Sequence, residues 1–110
     1  MFHMLTCFDL KPQVEIGVFR DAYSKFVKHM QSVDLVDSSG AIGRRQSDTG
    51  MDSDSERDHQ YFVLMTFRDR PQVDAAYALL ASHEQPADTA HHAVYSKVQN
   101  QIFICFQDLD

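Results

Sequence analysis

The segment Tyr-Phe-Val-Leu-Met-Thr-Phe, residues 61–67, decides the fold of this 110-residue chain. It is short, aromatic and aliphatic, and polar residues bound it on both sides, which predicts a β-strand. A strand with one solvated face alternates apolar and polar residues, whereas this one is apolar on both faces. Two further strands are predicted at residues 2–8 and 102–106, and they too are largely apolar on both faces. The sheet that these strands form therefore needs cover on both sides.

Helical spacing follows the first strand. Apolar residues recur at intervals of three and four between residues 14 and 33, which predicts a helix of about five turns. The segment 35–46 is interrupted by glycines and predicts an irregular strand at an edge of the sheet. The acidic stretch 47–58 predicts a loop.

Helix signals also follow the strand at 61–67. Asp69 as an N-cap with Pro71 in the first turn predicts a second helix, and Pro86 suits the start of a short third one. The element order is therefore β-α-β-β-α-(α)-β. This order predicts an α+β, ferredoxin-like βαββαβ fold with an antiparallel four-stranded sheet in a single domain, residues 1–110.

Two helices cover only one face of such a sheet, so the second face would remain apolar and exposed. An exposed apolar patch of more than a few hundred Å² is unusual on a monomer. Since the chain has no element left to cover this face, a second copy is expected to do so. The simplest closed arrangement is a two-fold dimer with its sheets face to face. The sequence therefore predicts a homodimer, in the form of a dimeric α+β barrel.

Composition excludes several classes of partner. The net charge is −6, so the chain lacks the basic surface that binds nucleic acid and is expected to be repelled by anionic membranes. No apolar run approaches the roughly 18 residues of a membrane span. The first ten residues lack the basic region of a signal peptide, and Cys7 and Cys105 lie in apolar runs, so a cytoplasmic protein with free thiols is expected. No two histidines share a metal-binding spacing on one element, and neither a metal nor another cofactor is expected.

Several short motifs carry a resemblance to known proteins. The element order, His3 in the first strand, Lys11-Pro12 before the long helix and Met65-Thr66-Phe67 before the second helix resemble the dimeric α/β-barrel superfamily, and within it the stress-responsive A/B-barrel proteins and plant polyketide cyclases. The segment Gly43-Arg44-Arg45, the acidic loop and Phe67–Arg70 are similar to a small bacterial family of unassigned function. The oxygenase branch of the superfamily has a tryptophan in its motif, and this chain contains none.

The resemblance implies a pocket between the sheet and the helices. In the cyclase branch a histidine of the first strand and a tyrosine of the second helix point into that pocket, which implies His3 and Tyr77 as catalytic residues. A residue of the third strand also lines the pocket there, which implies Tyr61 as a ligand-binding residue. A further histidine follows the second helix in that branch, and His91 is the expected counterpart. The pattern leaves three histidines open for this place: His83, His91 and His92.

The implied side chains suit proton transfer. An imidazole titrates near pH 6.5 and a phenol can donate a hydrogen bond. Together they could move a proton next to a carbonyl and stabilise the enolate, which is the chemistry of a cyclase or isomerase. One of the adjacent arginines on the edge strand, Arg44 or Arg45, could hold a ligand carboxylate at the pocket mouth, and Arg44 is the candidate. Face parity predicts the residues that wall the pocket: Leu5, Phe19, Tyr23, Phe26, Val63 and Met65.

The same side chains would also fit a protein without catalytic activity. The sequence is therefore compatible with two functions. One is an enzyme of the cyclase or isomerase type that acts on a small, largely apolar or aromatic ligand. The other is a non-catalytic ligand-binding or stress-related module. A completely filled core would instead indicate a dimeric scaffold.

Overall fold

Five strands and three helices form the chain, and the computed structural model describes all residues from 1 to 110. The strands are β1 (Phe2–Leu10), β2 (Ser38–Ser39), β3 (Gly43–Arg44), β4 (Tyr61–Phe67) and β5 (Val98–Gln107). The helices are α1 (Ile16–Ser32), α2 (Arg70–Ala81) and α3 (Ala87–Tyr95). This order confirms the predicted α+β, ferredoxin-like arrangement. No helix has the length and apolar character needed to cross a membrane.

All strand pairs in the sheet are antiparallel, and β1 and β4 form its centre. β5 pairs with the second edge of β1, while β2 and β3 both pair with the second edge of β4. The predicted edge strand is thus present but broken, and the sheet has five strands rather than the expected four. The break lies at residues 40–42, where Ile42 packs against the core and leaves the line of the strand.

The three helices pack on one face of the sheet, called the inner face below. The strand register places Phe8, Val63 and Met65 on this face, and all three are buried. The ring of Phe8 lies at the centre, with its centroid 4.8 Å from that of Phe19 and 5.7 Å from that of Tyr61. α1 covers these residues with an apolar stripe at helical spacing: Phe19, Tyr23, Phe26, Val27 and Met30.

The start of α2 has the predicted N-cap. The Asp69 carboxylate accepts a hydrogen bond from the backbone N–H of Gln72 at 2.9 Å. The buried Gln72 side chain accepts from the amide of Arg68 at 2.7 Å, one residue before the N-cap, and donates to the carbonyl of Asp34 at 3.0 Å. Gln72 therefore connects the start of α2 to the turn that follows α1.

The opposite face of the sheet, called the outer face below, carries no helix. At one end of this face the segment before β4 meets the sheet, where the backbone N–H of Gln60 donates to the Asp9 carboxylate at 2.9 Å. The helices thus leave one apolar face of the sheet uncovered within a single chain, as the strand patterns predict. The apolar side chains that remain exposed or half-buried there are Leu5, Phe62, Leu64, Ile102, Ile104 and Phe106.

β5 is an almost entirely exposed edge strand of the sheet. All of its residues after Val98 are exposed, and only one of its edges is paired, the one that meets β1. It is longer than the strand predicted at 102–106, because its first residues also pair with Asp9 and Leu10 beyond an irregularity in the register.

Candidate functional site

Two cavities lie on the helix side of the sheet. The larger one, called the α1 groove below, has a volume of about 550 Å³ and lies between α1 and the β2–β3 segment. The smaller one, called the inner cavity, measures about 100 Å³ and lies between the inner face, α1 and α3. Tyr23 lines both. Small-molecule sites commonly measure about 300–1,000 Å³, so the α1 groove alone has the size of such a site.

The α1 groove combines an apolar floor with a polar rim. Burial raises the pKa of Tyr23, so its hydroxyl stays protonated at neutral pH, and it lies 2.7 Å from the Ser39 hydroxyl. This pair of hydroxyl groups brings hydrogen-bonding capacity to the floor of the groove. The apolar and aromatic lining residues are Ile16, Tyr23, Val27, Ala41, Ile42 and Tyr61. The polar side chains of the lining are Arg20, Ser24, Lys28, Gln31, Ser38, Ser39 and Arg44.

The two adjacent arginines of the edge strand have different roles in the structure. Arg44 is exposed and its guanidinium carbon lies 5.7 Å from the centre of the Tyr61 ring, in the geometry of a cation–π contact. Arg45 binds Asp52 through two hydrogen bonds of 2.9 Å and also donates to the carbonyls of Asp54 and Arg57. Arg45 therefore organises the acidic loop, and of these two arginines it is Arg44 that is free to meet a ligand in the groove.

The inner cavity gathers most of the side chains that the sequence predicts around a pocket. Its volume is below the roughly 150 Å³ of a protein cavity that accepts benzene. It therefore has room for only a very small group, and the binding role predicted for these residues stays a prediction. The predicted residues that line it are Phe19, Tyr23, Phe26, Val63, Met65 and His91.

Of the three candidate histidines that follow the second helix, only His91 lines one of these two cavities. Its ring lies 5.3 Å from that of Phe26 and 4.9 Å from that of Tyr95 between centroids. Burial lowers the pKa of His91, which favours the neutral imidazole. His83 is exposed and 2.9 Å from the Asp88 carboxylate, and His92 is also exposed.

Burial of His91 predicts a specific dependence of stability on pH. Because its pKa is lowered in the folded chain, the unfolded chain takes up the proton first as the pH falls below about 6.5. The stabilising contribution of the neutral imidazole is thus complete above that pH and is lost as the pH falls through the folded-state pKa. We expect His91→Phe to reduce the change in unfolding free energy between about pH 7 and pH 5.

Urea unfolding of the wild type and variant at both pH values measures this effect. His92→Phe is the matched control, since it removes a neighbouring exposed imidazole and retains His91. An equal loss of pH dependence in both variants would contradict the role assigned to His91.

The structure places His3, Leu5 and Tyr77 beside neither of these two cavities, which differs from the positions predicted for them, and the roles predicted for them stay predictions. Residues that lie directly opposite in an antiparallel pair share a face of the sheet. Met4 is opposite Met65 and therefore lies on the inner face, so its neighbours His3 and Leu5 lie on the outer face. Tyr77 is 76% exposed because α2 turns its other side, with Ala76, towards the core.

His3 has hydrogen-bond partners on the outer face instead. Its Nδ1 lies 2.9 Å from the Thr66 hydroxyl, and its Nε2 lies 2.8 Å from the Asp108 carboxylate. The hydrogen bond from His3 lowers the pKa of Asp108. His3 thus links β1 and β4 to Asp108 near the end of the chain, and it lines neither cavity.

The cations that α1 contributes to the groove were not predicted from the sequence. Arg20 and Lys28 line the α1 groove together with Ser24. These three residues are spaced by four, which places them on one side of a helix. That spacing, beside an edge strand interrupted by glycines, was the available signal.

Solved structures define the class to which this fold belongs. A protein from Arabidopsis thaliana is similar with a TM-score of 0.75 and 8% identity, over 100% of this chain and 97% of that one. A dimeric ferredoxin-like protein of unknown function from a Jannaschia species is similar with a TM-score of 0.66 and 15% identity, over 97% of this chain and 98% of that one. An antibiotic biosynthesis monooxygenase is similar with a TM-score of 0.63 and 14% identity, over 100% of both chains. At these identities the likeness concerns the fold, and the class is that of ferredoxin-like α+β proteins.

Sequence comparison adds the family. The chain belongs to a family of unknown function, DUF6614, whose model matches residues 1–109. No curated protein matches the sequence. The resemblance to ferredoxin-like proteins and to a family of unassigned function is thereby confirmed, and it brings no activity with it.

Proposed function

We propose that this protein is a homodimer that binds a small molecule in the α1 groove. The observation that supports this proposal best is the groove itself, about 550 Å³ in volume, with an apolar floor and a polar rim. Ligand sites are typically concave and mainly apolar, with a few polar groups that orient the ligand. The aromatic ring of Tyr61 and the aliphatic side chains of Val27 and Ile42 fit a ligand with an apolar body.

The geometry favours binding over proton-transfer catalysis. Catalysis of the cyclase or isomerase type requires an acid and a base within hydrogen-bonding reach of the same substrate. Of His3, Tyr77 and His91, only His91 borders a cavity, and that cavity measures about 100 Å³. The non-catalytic binding function therefore has the stronger support.

The outer face of the sheet supports the homodimer. Its uncovered apolar side chains would be buried if two sheets packed face to face, about 10 Å apart. The similar Jannaschia protein is described as dimeric. We expect a solution mass of twice the chain mass of 12.6 kDa, measured by light scattering at micromolar concentration. A mass of 12.6 kDa would contradict the dimer.

A ligand screen with isotope-labelled protein tests the binding function. Small aromatic and acyl compounds should shift the backbone resonances of Tyr23, Val27 and Ile42, which line the groove. Ser24→Phe should fill the groove and weaken binding about tenfold or more, because the added ring occupies the ligand's volume. Ser32→Phe, the same change at an exposed site of α1 outside the groove, should leave binding intact. Shifts confined to other surfaces, or none at all, would refute the proposed site.

A further inference from the structure

The arginines of this chain divide into two groups by their partners. Arg20 and Arg44 form no ion pair, and both line the α1 groove. The other four arginines each form an ion pair with an aspartate outside the groove: Arg45 with Asp52, Arg57 with Asp54, Arg68 with Asp34, and Arg70 with Asp74. The arginines that lack a carboxylate partner are therefore those that face the candidate site.

The groove is also free of negative charge. Lys28 lines it as a third unpaired cation, and no aspartate or glutamate is among its lining residues. This arrangement is unusual in a chain with 16 acidic and 10 basic residues. Charges of one sign in a cleft with low-dielectric walls raise the local concentration of the opposite ion. The groove thus attracts anions in a protein whose net charge of −6 repels them.

The cations approach the groove from opposite walls. Arg20 and Lys28 lie two helical turns apart on α1, with Ser24 between them, whereas Arg44 comes from β3 and stacks on Tyr61. A guanidinium fork binds the two oxygens of a carboxylate in parallel, and a lysine adds a point charge. The stacking of Arg44 on the ring holds this fork beside the apolar floor.

We infer that the α1 groove selects an organic carboxylate, whose anionic group meets Arg20, Lys28 and Arg44 and whose apolar body lies on the floor formed by Val27, Ile42 and Tyr61. This inference rests on the proposed function and adds the chemical class of the ligand. It also extends to Arg20 and Lys28 the carboxylate contact that the sequence predicts for Arg44, because an uncharged molecule would leave the three cations without a partner.

Calorimetric titrations with 2-naphthoate and its neutral counterpart 2-naphthamide test the inference. We expect the carboxylate to bind at least about tenfold more tightly, since hydrogen bonds to charged groups are the stronger ones. Its affinity should fall between 0.05 and 0.5 M salt, whereas that of the amide should not, because salt screens only the charged contact. Arg44→Gln should weaken naphthoate binding about tenfold and leave naphthamide binding unchanged.

Two lysines of α1 provide a matched control. Lys28→Gln should also weaken naphthoate binding, whereas Lys25→Gln, the same change of charge at an exposed lysine outside the groove, should not. Equal weakening in both variants would show a general charge effect and overturn the inference.

The outcomes separate the inference from the proposed function. Equal affinities for naphthoate and naphthamide would overturn the carboxylate selection while the binding function stands. Inorganic phosphate that competes with naphthoate at equal affinity would show that the apolar body contributes nothing, which also overturns the inference. If neither naphthalene compound nor any screened compound binds the groove, the proposed function fails as well.

Discussion

Replacement of Ile104 by lysine should halve the mass of the protein in solution. Ile104 is 42% exposed in the single chain and lies opposite Leu5 on the outer face, so the lysine has room in a folded monomer. In the proposed dimer, the two-fold axis would bring a lysine from each chain into an apolar contact. An unpaired charge buried in this way costs several kcal/mol, which is enough to separate a dimer of micromolar stability.

Light scattering after size-exclusion chromatography measures this change, and circular dichroism verifies that the variant is folded. Val18→Lys is the matched control, because Val18 is also a β-branched residue, is 54% exposed, and lies on α1 rather than on the outer face. We expect Val18→Lys to remain dimeric. A folded Ile104→Lys variant that keeps the dimer mass would place the interface on another surface.

The Phe8→Ala variant should lose about 3–5 kcal/mol of unfolding free energy. Phe8 is 1% exposed, and its ring packs between those of Phe19 and Tyr61. It also borders the inner cavity, so the truncated side chain leaves a larger void among aromatic and aliphatic neighbours. A void of this kind loses both the transfer free energy of the ring and its packing contacts.

Urea unfolding measures the loss, and Phe103→Ala is its matched control. Phe103 borders the same cavity but is 57% exposed, so the same substitution should cost only about 1 kcal/mol. Benzene should raise the unfolding midpoint of Phe8→Ala and leave that of the wild type unchanged, because only the enlarged cavity accepts the ring. Equal losses in both variants would contradict the central position of Phe8.

The secondary-structure elements that depend on patterns within a few neighbouring residues could be predicted from the sequence. β4 begins and ends at the residues that its apolar run predicts, since the residues next to it are polar and leave the sheet. α1 spans Ile16–Ser32 against a prediction of 14–33, because its buried stripe repeats over nearly five turns. The cap at Asp69 fixed the start of α2 in the same way.

The candidate site depends on strand register, which the sequence does not contain explicitly. The sequence shows that alternate residues of β1 point to opposite faces of the sheet. It does not show which of the two sets shares the inner face with Val63, because that depends on the pairing of Met4 with Met65. His3 and Leu5 were assigned to the wrong face for this reason. Phe8 belongs to the other alternating set of β1, which is the more apolar one. This difference was the signal in the sequence that this set, rather than the one with His3 and Leu5, lies on the inner face.

The α1 groove depends on segments that are distant in the sequence. Arg44 meets the groove lined by Arg20 only because the edge strand breaks and the chain returns beside α1. An exposed charge on a helix usually faces solvent, so nothing in the sequence singled out Arg20 or Lys28 as part of a groove. Their common lack of aspartate partners emerges only from the positions of all the side chains.

A single, unassembled copy of this chain would tend to aggregate. The unpaired edge of β5 presents free backbone N–H and C=O groups, and residues 101–107 contain no charge, proline or glycine. Such an edge pairs with the same strand of other molecules and starts aggregates. In the homodimer, burial of Ile102, Ile104 and Phe106 would remove the outer-face side chains of this segment from solvent. The contact that builds the dimer would then also keep the protein dispersed when it is concentrated.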